Sequence, residues 1–447
     1  MLKIYKMNNS IIKNLVLGYA VFTIIGALLL MAPFSRNVDI SFIDALFTAT
    51  SASCVTGLIV QNTQYDFTFI GQIILAILIQ VGGIGYMAFG LFFLMMLRKK
   101  LAYKERMFLK ESLDYPSMSG IVRFLKMVFI TVFLIEIIGA IILLIRFSFD
   151  MDTTTALWHG IFHSISAFNN AGFSIFEDNL MRYKTDLTVN LTICLLIILG
   201  GVGYFVLLEM YYLKKNRFAY LSMHTKIVLY TTLFLIVFGF LMVLSFEYSN
   251  PKTLSELDFF DKLLVTLFLS VNYRTAGFNT IDLSTLSDST LYFSNMLMLI
   301  GGAPGGTAGG IKVTVFFIIV ITVWFSLKNE TPHIFKRTIP QDVINKSFTI
   351  LIIGIFYITL SSFIIAENEK LPFINILFEV TSAFATVGLS VGNGGVLSLS
   401  ALFSDVSKIV VILLMFVGRL GVLIFTLSVI GKNDEKRFKY PEGRVII

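Results

Sequence analysis

Long apolar runs alternate along this chain with short, half-polar ones. The long runs cover residues 11–34, 71–97, 121–148, 190–213, 226–247, 291–325, 347–366 and 406–430. Each is on the scale of the roughly 20 apolar residues that a helix needs to cross a bilayer, so the pattern predicts eight transmembrane helices. Between the two members of each successive pair lies an amphipathic stretch that runs into a small or polar triplet and then a glycine. The four stretches read FTATSASCVTG (47–57), FHSISAFNNAG (162–172), LFLSVNYRTAG (267–277) and FEVTSAFATVG (378–388). All are too short to span a membrane, and each reads as a re-entrant half-helix ending in an extended turn. Such backbone survives at membrane depth only where protein buries it or where it lines water.

The four terminal glycines, Gly57, Gly172, Gly277 and Gly388, recur at intervals of 115, 105 and 111 residues. A spacing that regular predicts a duplicated unit of outer helix, pore helix with turn, and inner helix. The expected fold is an all-α integral membrane protein. It has four pseudo-repeats of helix–pore loop–helix, eight transmembrane helices and four re-entrant pore loops, around a central ion pore. The units are drawn at residues 1–100, 101–216, 217–330 and 331–447, the last with a cytoplasmic C-terminus.

Composition agrees with the pattern and excludes a soluble domain: 56% of residues are hydrophobic, only 14% are charged, and mean hydropathy is +0.83. The first apolar run exceeds the core of a cleavable signal and is expected to remain as the first span. Most of the 35 lysines and arginines fall in residues 1–13, 98–126, 214–226, 328–346 and 432–444. By the bias of basic residues toward short cytoplasmic loops, both termini are cytoplasmic and the pore turns enter from outside. On that outer side Asp39, Asp44, Asp178, Asp258 and Asp282 could attract cations. The net charge of +7 is then a topology signal, and nucleic acid is not needed to explain it.

The candidate chemistry is backbone chemistry. A row of carbonyls replaces an ion's hydration shell only where the chain is extended and uncrowded, which glycine permits. The candidate filter is therefore Cys54, Val55, Thr56 and Gly57; Asn169, Asn170, Ala171 and Gly172; Arg274, Thr275, Ala276 and Gly277; and Ala385, Thr386, Val387 and Gly388. Helix precedes turn in every case, so the negative C-terminal ends face the ion, which argues for a cation. The glycine clusters at 82–85 and 200–203 read as tight helix packing. In the third unit the inner helix is interrupted by GGAPGGTAGGIK (301–312), which cannot stay helical. The segment reads as a gate, with Gly305, Gly306, Thr307, Ala308, Gly309, Gly310 and Lys312 as its residues; a static kink is the alternative. Arg419, in FVGRLG (416–421), needs a carboxylate or water at such depth. It either faces the pore below the filter or pairs with another helix. Arg274 is expected to brace the filter from behind, against Glu379. Glu136 and Glu209 are intramembrane carboxylates without a partner that the sequence names.

Other classes are weaker. His159 and His163, four apart on one helical face, suit a metal site, but the remaining histidines, His224 and His333, fall in loops. Packing and a hydrogen bond are sufficient for the pair. Cys54 and Cys194 are too few for a disulfide framework.

The fourfold unit, RTAGFNT at 274–280, GGAPGGTAGGIK and the inner-helix arginine together resemble the Trk/Ktr/HKT superfamily of potassium transporters over almost the whole chain. With no room for extra helices before Ile11, and with KYPEGR at 439–444, the chain is most similar to the Ktr membrane subunits. The resemblance implies a potassium pore in a homodimer in the bacterial inner membrane, gated by a cytoplasmic ring of nucleotide-binding RCK subunits. It implies no cofactor on this chain, the nucleotide lying on the partner, and sodium often stimulating transport. Glycine at all four filter positions goes with potassium in this superfamily; a sodium-preferring or nonselective member is the alternative. Val422 departs from the proline more usual after Arg-Leu-Gly and leaves the bend of the last helix open.

Overall fold

The computed structural model describes residues 9–96, 106–107, 119–215, 220–392 and 396–430. Lys3 and Lys6, most of the basic loop 98–126, residues 216–219 and the tail with KYPEGR lie outside them, as do the unit boundaries drawn at 100/101 and 216/217.

Among the described residues, four helices are long and apolar enough to cross a membrane uninterrupted: α1 (Asn9–Met31, through its stretch Lys13–Met31), α5 (Ile121–Phe147), α9 (Met223–Glu247) and α13 (Gln341–Glu369). After each comes one short helix, namely α2 (Phe42–Ser53), α6 (Thr153–Phe168), α10 (Phe259–Asn272) and α14 (Phe373–Ala385). Polar residues set two of these starts: Ser41 Oγ accepts from Asp44 N (3.1 Å) and the Asp152 carboxylate from Thr155 N (3.0 Å).

The second apolar run of each pair departs from expectation. None is one continuous helix, although the sequence reading placed an interruption only in the third. The runs are α3/α4 (Phe69–Ile84, Tyr86–Met96), α7/α8 (Leu187–Gly201, Tyr204–Lys215), α11/α12 (Asp288–Leu299, Val313–Leu327) and α15/α16 (Asp405–Leu420, Val422–Ile430). The first, second and fourth bend by 95°, 99° and 111°, at Gly85, Gly203 and Gly421, whose φ values are +99°, +95° and +90°. A side chain is strained at such φ, so glycine marks each break. The third run is opened by residues 300–312. Between α12 and α13, β1 (His333–Ile334) pairs antiparallel with β2 (Arg337–Thr338).

Burial is inverted relative to a soluble protein. The long helices expose Ile24, Leu28, Ile130, Phe133, Leu134, Ile137 and Phe234, while Thr50, Ser51, Ser164, Ser166, Asn169, Ser270, Asn272 and Ser382 are buried. That distribution suits a hydrocarbon solvent around a polar interior. Small residues let the layers meet. A Cβ at Gly82, Gly200 or Gly418 would overlap the carbonyl oxygen of Ser53, Phe168 or Phe384, near the end of the adjacent short helix. Tight packing is thus the role of these three, as the sequence suggested for Gly82 and Gly200, whereas Gly85 and Gly203 break the helix.

Candidate functional site

The four short helices end in one repeated backbone conformation. The residue two before each glycine is left-handed although it bears a side chain: Val55 (φ +56°), Asn170 (+59°), Thr275 (+67°) and Thr386 (+51°). The glycines follow at +97° (Gly57), +69° (Gly172), +80° (Gly277) and +88° (Gly388). Such conformations are sparsely populated and persist only where the surroundings over-determine them. Here each N–H preceding the glycine turns back to its own helix. Thr56 N donates to Ser51 O (2.8 Å), Ala171 N to Ser166 O (2.7 Å), Ala276 N to Asn272 O (3.1 Å) and Val387 N to Ser382 O (2.8 Å). Side chains reinforce the turn: Gly57 N and Gly388 N donate to Ser51 Oγ and Ser382 Oγ, both at 3.0 Å. Phe278 N donates to Asn272 Oδ1 at 3.0 Å.

These four segments close a ring. A Cβ at Gly57 would lie 2.5 Å from Ala171 O, one at Gly172 would lie 2.8 Å from Ala276 O, and one at Gly277 would lie 2.7 Å from Val387 O. At Gly388 it would overlap Thr56 O. Each glycine therefore abuts a carbonyl of the next segment, in cyclic order. Among the described residues none of the oxygens of Thr56, Ala171, Ala276 and Val387 accepts a hydrogen bond. Buried carbonyls usually have a partner. Four without one, at the negative ends of four helices, make a place that favours a cation.

The side chains of the residues three before the glycines are engaged outside this ring. Cys54 packs outward in the cluster that holds Tyr19, Asn169 reaches Gln80 and Glu136, and Arg274 donates to Gly301 O at 3.0 Å. Ala385 lies behind the ring against Gly310. They anchor the segments to the surrounding helices.

The 301–312 segment passes beneath. Thr307 Oγ1 lies 3.3 Å from Phe168 O and 3.2 Å from Asn170 Oδ1, and Gly309 N donates to Thr386 Oγ1 at 3.1 Å. The second and fourth segments stand across the ring from each other, so a loop that reaches both crosses under it. The loop is closely tied. The break after Gly201 frees the last carbonyls of α7, and the loop takes two of them: Ala303 N donates to Gly201 O (2.8 Å) and Thr307 N to Gly200 O (3.2 Å). Tyr204 N donates in return to Gly305 O (3.0 Å), and Lys312 Nζ to Ala308 O (2.7 Å).

Arg419 stands where the first two units have Gly83 and Gly201. Among the described residues, neither a carboxylate nor another helix's charge is among its partners. Its guanidinium donates to Thr307 O and Gly82 O, and to Gly83 O at 2.8 Å. A cation at the C-terminal end of α3, on carbonyls released by the break at Gly85, is favoured both as donor and as charge.

Two sequence expectations are corrected. Arg274 does not meet Glu379, whose carboxylate instead accepts from Ser390 Oγ (2.5 Å), Ser400 N (2.9 Å) and Ser400 Oγ (2.5 Å); a neighbouring turn satisfies it more cheaply than a buried ion pair. Three of the five outer acidic residues are already paired, Asp39 with Arg36, Asp44 with Lys408 and Asp178 with Arg182, so their pull on cations is reduced. Glu209 finds partners in Ser222 and Thr225 at the start of α9. His163 bridges His159 O and Ser174 Oγ, both at 2.8 Å. Among the described residues no group of three or more His, Cys, Asp and Glu could hold a metal.

Comparison with known proteins identifies the family and matches the fold. Residues 7–440 match the family model described as TrkH, cation transport protein. The chain belongs to the TrkH cation transport family. Among relatives of this TrkH-family chain, the Ktr system potassium uptake protein B of Bacillus subtilis (strain 168) is 42% identical, covering 96% of this chain and 95% of its own. The potassium/sodium uptake protein NtpJ of Enterococcus hirae is 35% identical over 96% of this chain and 95% of its own. The crystal structure of the potassium transporter TrkH from Vibrio parahaemolyticus matches the fold with a TM-score of 0.75 at 19% identity. The match covers 96% of this chain and 86% of that one.

Sequence reasoning passed over Gln80, Ser51, Ser382 and Tyr19. The serines had a signal in their constant place six residues before Gly57 and Gly388; the other two had none beyond their polarity within apolar runs.

Proposed function

We propose that this chain takes up potassium through the glycine ring, which acts as a carbonyl-lined selectivity filter. What supports this reading above all is the closed ring of four buried carbonyls without hydrogen-bond donors, at the C-terminal ends of four converging helices. The name of the Bacillus subtilis relative points to the same ion. In this reading the four units, at 1–100, 101–216, 217–330 and 331–447, each contribute one segment to a single pore. The 301–312 loop is the gate, held shut by Arg419, whose charge below the ring discourages a cation from lingering there. Both termini are cytoplasmic and the chain sits in the cell membrane as a homodimer. A cytoplasmic RCK ring carrying the nucleotide opens it, and sodium stimulates transport.

A second reading, potassium and sodium carried alike, is favoured by the name of the Enterococcus hirae relative. Flux of each ion into proteoliposomes holding the purified chain, with and without an RCK ring, separates the two. Potassium flux above sodium flux supports the filter, equal fluxes support the second reading, and flux of neither ion with the ring added overturns both.

A further inference from the structure

Behind the second segment lies a buried polar cluster whose polar atoms do not touch the ring. Asn169, which ends α6 three residues before Gly172, is fully buried. Its Nδ2 donates to Gln80 Oε1 (2.9 Å) and Glu136 Oε1 (3.0 Å), and Gln80 Nε2 donates to Glu136 Oε2 (3.1 Å). Glu136 and Gln80 are only 5% and 8% exposed. The three residues come from three places: Gln80 from α3, Glu136 from α5 and Asn169 from the C-cap of α6. A Cβ at Gly83 would overlap Asn169 Oδ1, so the amide is wedged against α3 as well.

The fold does not need a carboxylate there. A Cβ at Gly139 would meet Ser164 Oγ (2.6 Å) and Leu196, and one at Gly239 would meet Ser270 Oγ (2.6 Å) and Leu297. Ser164 Oγ donates to Glu136 O and Ser270 Oγ to Ile236 O, at 2.6 and 2.7 Å. The second and third units correspond in these contacts, and Ile236 holds in the third the place of Glu136 in the second. A buried carboxylate in a membrane helix, where the corresponding helix does well with isoleucine, marks a functional demand.

We propose that Glu136 is a positioning residue for the ring: with Gln80 it clamps the Asn169 amide and thereby sets where the carbonyls of Asn170 and Ala171 stand. The left-handed Asn170 immediately follows the clamped residue, so a shift of Asn169 is carried straight into the carbonyl row. Selectivity between two monovalent cations depends on the placement and freedom of those oxygens. This inference rests on the reading of the ring as a filter.

The test is the ratio of potassium to sodium flux in proteoliposomes, with thermal stability measured in detergent on the same preparations. The ratio is independent of how much protein is folded. Glu136→Ile, which installs the residue of the third unit, removes the bonds from Asn169 Nδ2 and Gln80 Nε2 to the carboxylate while leaving those of Asn169 Nδ2 to Gln80 Oε1 and Ile165 O, and is expected to lower the ratio roughly fivefold or more, the scale of a buried hydrogen bond lost. Glu136→Gln is expected to lose clearly less, staying within about threefold of wild type, because its one carbonyl oxygen still accepts from Asn169 Nδ2 while only the bond from Gln80 Nε2 is lost. If Glu136→Ile does not yield folded protein, Gln80→Met removes the other half of the clamp and carries the same expectation. An unchanged ratio in the clamp-breaking variant overturns the clamp. A loss in Glu136→Gln equal to that in Glu136→Ile also overturns it, assigning the effect to charge. A wild-type chain that does not distinguish the ions fails the filter reading itself, before any variant is compared.

Discussion

Arg419 donates to the carbonyl oxygen of Thr307, a residue 112 positions away in the loop beneath the glycine ring. The same guanidinium holds Gly82 and Gly83 at the broken end of α3, so one side chain joins the fourth unit, the loop and the first unit. Arg419→Gly, which installs the residue that the first two units carry at this place, is therefore expected to leave the chain folded and loosen the loop. Potassium flux without a regulatory ring should rise roughly tenfold, the scale of one to two lost charge-assisted hydrogen bonds. Hydrogen exchange across 303–310 should quicken in parallel; unchanged exchange with altered flux would place the effect of Arg419 on the ion rather than on the loop.

Thr307 ties the loop to the ring from the other side, through Phe168 O and Asn170 Oδ1. Thr307→Val keeps the shape and removes the hydroxyl. A gain of flux of roughly two- to fivefold is expected, smaller than for Arg419→Gly because the lost bonds are neutral. Deleting part of 305–310 should have the larger effect, and a flux equal to wild type in both variants would argue that the loop is a fixed kink.

At Gly57 a Cβ would lie 2.5 Å from Ala171 O and 3.2 Å from the Gly172 Cα, on a backbone at φ +97°. Gly57→Ser must therefore push the first and second segments apart. The expected result is a fall in the potassium-to-sodium flux ratio of roughly tenfold or more, with sodium flux retained, because the ring widens rather than closes. A closed, non-conducting protein would place the strain elsewhere.

Gly418 meets the Phe384 carbonyl and Gly200 the Phe168 carbonyl so closely that a methyl group overlaps the oxygen. Gly200→Ala and Gly418→Ala are each expected to destabilise the protein by roughly 1–3 kcal/mol through overpacking, seen as a lower midpoint of thermal unfolding in detergent. Gly90→Ala, where a Cβ meets nothing within 4 Å, is the control and should leave the midpoint in place.

Much of the site was legible because its chemistry is backbone chemistry and glycine is its visible mark. The periodic glycines located all four segments, and the run at 301–312 announced a break that no side-chain pattern could hide. Gly85, Gly203 and Gly421 carried the same message in weaker form. Gly85 and Gly203 belong to short glycine clusters within apolar runs that continue a helical pattern, so packing was the simpler reading of them until the dihedral angles were known. The partners of charged groups were least legible. Arg419 binds carbonyls, which every residue possesses, so no residue type could point to them; Glu379 bonds a turn only 11 to 21 residues downstream.

The sequence by itself determined that the chain is a membrane protein of several apolar helices and which glycines end its four short segments, because hydrophobic length and residue spacing are local properties. Only the tertiary structure decided that the four turns close into one ring, that the loop crosses beneath it, and that Arg419, Gln80 and Glu136 join elements far apart in the chain. Those relationships depend on which helices pack side by side and on which carbonyls a bend leaves free. Both are settled by the joint burial of segments distant along the chain, and no single stretch of sequence records them.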